Sequence, residues 1–209
     1  MTLRTAAALG FLLVLPAPAE PLDRIAVSVA NQVITESALL LDLRVTAFMR
    51  QTPLDFSPAA KRREANRLVD LALMRKEADD GHLVLEGSEA PKLLASLKAR
   101  YRGDPEYQAE LQRYGISEKD LMDHLTAGAR MLAFSDLRFR PATQISEEEL
   151  RAYYDKLVAG ASAPNPSFEA KRAEIEELLR GQKASEALDE WLKSQRKTVR
   201  IDFREKVFE

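Results

Sequence analysis

Not one of the 209 residues is a cysteine. Disulfides, thiolate nucleophiles and Cys-based metal sites are therefore excluded. Histidine occurs only twice, at His82 and His124, and neither stands in a complete ligand set. Glycine is also scarce, at 8 residues, and no Gly-rich phosphate loop is present. No serine sits in a GxSxG context. Charge of neither sign dominates, with 31 basic against 33 acidic residues. A nucleic-acid partner would demand a basic face, and none is suggested. Nothing points to a cofactor.

What is present begins at the first residues. Arg4 gives a short positive segment, and residues 5–15 form an uncharged apolar run of 11. Pro16 breaks the run, and Ala17-Pro18-Ala19 supplies small residues for a signal peptidase. A membrane span needs about 20 apolar residues, so this run is too short to anchor the chain. The pattern predicts a cleavable secretory signal over residues 1–19, cut after Ala19. It also predicts no stable membrane insertion afterwards and a periplasmic or secreted product. Without a cysteine near the cut, no lipid anchor can form. Loss of Arg4 takes the net charge from −2 to −3.

The rest reads as mainly helical, with 31% charged residues and few glycines. Ile25, Val27 and Val29 alternate with polar residues, as in a strand. Residues 30–32 read as a tight turn, and Val33-Ile34 resumes the apolar run. Thr35 can cap a helix to about Arg50. Ser57-Pro58 opens a second helix, expected over 58–80 with Gly81 in the left-handed position at its end. Further helices are expected over 88–102, 104–114, 118–138 and 147–158, the last opened by the capping box Ser146-Glu149. Residues 159–166 read as a linker between a helical body, 20–158, and a closing helix and strand, 167–203. Val199, Ile201 and Phe203 alternate again. Two short strands at opposite ends need partners for their backbone groups, and the economical pairing is with each other. The expected fold is therefore mainly α, with a small pairing of strands 25–29 and 199–203.

Few residues invite a chemical reading. His124 stands four residues after Asp120, which suits a metal in geometry but leaves the ligand set incomplete; a solvated helix pair is the preferred reading. Glu147, Glu148 and Glu149 occupy a first helical turn, where the macrodipole favours negative charge without any catalytic role. No catalytic constellation emerges, so the chain is not read as an enzyme. Binding through apolar, adaptable side chains is left. The candidates are Phe48, Met49, Phe56, Met122, Met131 and Phe134. Each would be ordinary core on burial tendencies. Phe48, Met49 and Phe56 flank a loop, which favours exposure, while the spacing of Met122 and Met131 does not define one face.

Several segments, in order, resemble a known family. Asp23 to Ser37 (DRIAVSVANQVITES) resembles the opening of the SurA-like and PrsA-like extracytoplasmic foldases, and Leu68 to Ala78 (LVDLALMRKEA) resembles their second core helix. Tyr114 to Leu121 (YGISEKDL) is similar to the start of their long helix, and Ile145 to Tyr154 (ISEEELRAYY) to the segment before their isomerase domain. Ala187 to Phe203 is similar to the helix and strand that follow it. The family's parvulin-type prolyl isomerase domain has no room here, because the stretch from Asp155 to Pro166 is only 12 residues and a domain needs about 50 or more. The resemblance thus implies a chaperone core without isomerase activity. It would hold unfolded or nascent exported polypeptides, including those bound for an outer membrane, without nucleotide. A homodimer is compatible with it. The competing reading is a dedicated scaffold subunit of an envelope assembly.

Overall fold

The computed structural model describes residues 23–159 and 167–209. The signal-peptide reading of residues 1–19 and nearly all of the linker at 159–166 lie outside the described residues. Strand β1, Ile25–Val29, is the centre of a three-stranded antiparallel sheet. On one side it forms a hairpin with β2, Gln32–Thr35, through the two-residue turn Ala30-Asn31. On the other it pairs with β3, Ile201–Phe203, in the register Val27 with Phe203 and Val29 with Ile201. The two ends of the body are thus tied by one ladder, as the unpaired backbone of each strand required. The alternation is imperfect. The ladder slips between Ile25 and Val27, so Ala26 joins Val27 and Val29 in the interior while Ile25 stays 40% exposed.

Seven helices accompany the sheet among the described residues. Helix α1, Glu36–Arg50, starts where Thr35 Oγ1 accepts from the Ala38 N–H. Helix α2, Pro58–Asp80, starts on Ser57 with proline in its first turn, where the missing N–H has no partner to lose. Its end departs from expectation. Gly81 has φ −84, and the left-handed residue is His82, φ 51, because the chain makes its closing bond one residue later, from Leu83 N–H to Ala78 O at 2.8 Å.

Helix α3 is shorter than the pattern suggested, Ala90–Lys98, since neither Ser88 nor Glu89 caps it. Helix α4, Asp104–Tyr114, ends on left-handed Gly115, where any side chain would be strained. Helices α5, Glu118–Arg138, and α6, Glu147–Val158, each carry a complete capping box. Helix α7, Phe168–Thr198, leads into β3.

Three apolar clusters hold these elements together. One, under α1, α3, α4 and α5, is built around Phe48, Tyr107, Leu121 and Leu125. A second lies between the sheet, α1 and α2. It takes in Val207 and Phe208 from a one-turn segment after β3 that the sequence pattern did not announce. Arg62 of α2 covers that segment: its guanidinium lies 4.7 Å from the Phe203 ring and 4.4 Å from that of Phe208, and it pairs with Glu205. Lys61 Nζ donates to Val207 O at 2.9 Å. The third cluster joins α2, α5 and α7 through Met74, Ala78, Phe134 and Trp191.

Candidate binding cleft

Helices α2 and α5 do not close completely against each other. Leu71, Met74 and Ala78 recur at helical spacing on α2, and Ala127, Met131 and Phe134 do the same on α5. Between these stripes lies a cleft of about 590 Å³, walled at one end by Leu83 and Leu85 from the segment after α2. Val84, between those two leucines, is 81% exposed. Arg75, Asp79, Asp123 and Arg130 ring the opening. The cleft continues past Leu71, Arg75, Asp123 and Ala127 into a second hollow of about 300 Å³, which reaches Ile34 of β2 and Leu41 of α1. An apolar floor with two methionines and a rim of both charges suits an extended apolar segment with little demand on its sequence.

The six candidate residues separate into three groups. Met131 and Phe134 line the cleft. Phe134 is fully buried, its ring 5.3 Å from Trp191 and 6.0 Å from Phe139, so it forms the floor rather than a contact surface. Phe48, expected to be exposed beside its loop, is instead buried. Its ring lies 5.7 Å from Tyr114, 6.0 Å from Tyr101 and 6.2 Å from Tyr107, because α4 and the end of α3 fold over the end of α1. Met49 and Met122 are half-buried against the same cluster. Phe56 is exposed on its loop, with the Arg44 guanidinium 5.8 Å from its ring. Leu71, Leu83 and Leu85 are the cleft residues that sequence reasoning passed over. Leu71 looked like an ordinary helical leucine and Leu83 and Leu85 like loop residues, which only the partner helix turns into a wall.

Beside the cleft the three helices α1, α2 and α5 meet through a polar network. His124 does not pair with Asp120, which instead accepts from the Ser117 N–H at 2.8 Å within the capping box. Its Nδ1 lies 2.7 Å from Asp42 Oδ1 on α1. Arg67 of α2 donates to Asp42 and to Glu64. The side chains of Asp42, Glu64 and His124 are 14%, 9% and 17% exposed. Burial by itself would raise the Asp42 carboxyl, but hydrogen bonds from His124 and Glu64 and the charge of Arg67 outweigh it and hold Asp42 well below the usual carboxylate range. Asp42 is therefore an acceptor only, and the proton in the 2.7 Å contact sits on His124 Nδ1. Glu64 goes the other way. Burial first, then the neighbouring Asp42 carboxylate, pushes its carboxyl up to about 7 against the pull of Arg67.

Two of the three acidic residues have structural partners. Glu147 pairs with Arg151 and Arg172, and Glu149 with Lys183 and the Ser146 N–H. Among the described residues no group of three or more His, Asp or Glu side chains is placed to hold a metal ion, and no helix is long and apolar enough to cross a membrane. Compared with known proteins, the chain matches no family model and no curated relative.

Proposed function

We propose that the protein is an exported, nucleotide-independent folding chaperone that holds non-native polypeptides in the cleft between α2 and α5. The observation that carries the reading is the cleft itself: an apolar floor with Met74 and Met131, open to solvent and rimmed by charge. Apolar contact of this kind is tolerant of sequence, as a chaperone requires, because thioether side chains repack around different partners. The segment-by-segment resemblance to SurA-like foldases supports the same reading, and the missing insert argues for holding without prolyl isomerisation. The secretory pattern of residues 1–19 supports delivery to the periplasm or beyond.

The test is suppression of aggregation of several unfolded clients at stoichiometric ratios. Met131→Lys puts a charge on the cleft wall at a half-buried position, and it is expected to cut the suppression at least about fivefold, the equivalent of about 1 kcal/mol of lost client affinity. No suppression by the wild type on any client sinks the reading.

A second reading, a dedicated subunit of an envelope assembly, is favoured by leucines on the hairpin of α6 and α7. Leu157 and Leu178 are 49% and 39% exposed there. Capture from envelope extract separates the two: one stoichiometric partner supports the subunit, and many weak ones the chaperone.

A further inference from the structure

We propose that Asp42, Glu64, Arg67 and His124 form a proton switch that sets how tightly α1, α2 and α5 close beside the cleft. Its consequence for clients rests on the cleft being their site; the switch itself does not. The geometry comes first. Each helix contributes at least one member, the contacts are direct, and Asp42, Arg67 and His124 all face the hollow that continues the cleft. Two carboxylates share one guanidinium. With a proton on Glu64, the trio Asp42⁻, Arg67⁺ and Glu64 carries no net charge, and Glu64 can donate to Asp42. Without that proton two carboxylates face each other across the α1–α2 junction with one cation between them, and the set is left at −1. At these exposures water screens the repulsion poorly.

Apart from His124, which already binds Asp42, no charged group nearby is placed to neutralise the change. Arg63 of α2 is exposed and turned toward Asp55, 3.9 Å away. On α5, Asp120 is bound to Ser117 and Asp123 to Lys119 at 2.6 Å. Arg50 of α1 and Arg75 of α2 are exposed at the edges of the hollows on either side. The titration is therefore local, and burial with the Asp42 charge sets it near neutrality. The sign follows from linkage: a carboxyl raised in the folded state stabilises below its unfolded value and loses that contribution as pH rises through its folded one.

Melting of the full chain between pH 6 and 8.5 tests this. The wild type is expected to lose about 5 °C across that range, nearly all of it below about pH 7.5 where the folded carboxyl finishes titrating, with faster amide exchange in the first half of α5. Glu64→Gln keeps the hydrogen bonds without the charge, so it should lose most of the wild-type slope over the same range. A flat wild-type profile overturns the proposal without any variant, and so does a Glu64→Gln protein that keeps the wild-type slope. Client suppression measured in parallel should rise with pH in the wild type only. If melting behaves as expected while no client is held at any pH, the switch stands and the chaperone reading falls.

Discussion

Replacing Phe208 by alanine measures how much the segment after β3 contributes to the fold. The ring is 6% exposed and belongs to the cluster under the sheet. It packs 5.9 Å from Phe203 and beneath the Arg62 guanidinium. Truncating a buried phenylalanine costs about 3–5 kcal/mol, the larger values arising where the gap cannot collapse. Here Arg62 is a flexible lid and can settle into the space, so the low end applies, about 3 kcal/mol. The cation–π part is worth only about 0.5–1 kcal/mol at a partly exposed site. Arg62→Ala should therefore cost about 1 kcal/mol, several times less than Phe208→Ala. The double variant should fall short of additivity by about 0.5–1 kcal/mol. A chain of this length shifts its melting temperature by about 2–4 °C per kcal/mol, so Phe208→Ala should melt roughly 6–12 °C lower by far-UV circular dichroism. A loss smaller than that of Arg62→Ala would refute the reasoning, because apolar burial would then not be what holds the segment.

Two further outcomes follow from single positions. Gln51 ends α1 in the left-handed region, φ 53 and ψ 41, with an exposed side chain; Gln51→Gly should stabilise by about 0.5–1 kcal/mol in urea unfolding, and destabilisation would refute the strain argument. On the acid side, the depressed Asp42 carboxyl stabilises above its unfolded value of 3.8 and loses that contribution as pH falls. Asp42→Asn should therefore be less stable than wild type at pH 6, and the two should converge toward pH 2. Together with the opposite slope of Glu64, whose contribution is full only below its unfolded value of 4.5, this places the optimum set by the two groups near pH 4.

Most of the helical framework was legible because its signals are local. Thr35, Ser57, Ser117, Ser146 and Ser167 cap the helices they precede, and a side-chain oxygen satisfies a neighbouring N–H whatever the distant chain does. The closing strand was legible by elimination, since two lone strands in one chain have few other partners. Where local signals were weak the reading slipped: α3 has no cap and came out short, and the left-handed residue after α2 is His82 rather than Gly81.

The candidate site shows the same division more sharply. A methionine or phenylalanine at helical spacing looks the same whether its helix is covered or left open. Phe48 became core because α4 folds over it, whereas Met131 lines a cleft because α2 stands off from it. The sequence by itself determined the helices, their caps and the two end strands, for these depend on residues a few positions apart. Only the tertiary structure decided the cleft and the docking of Phe208. It alone brought His124 to Asp42, 82 positions away, because burial and charge sharing depend on which faces meet.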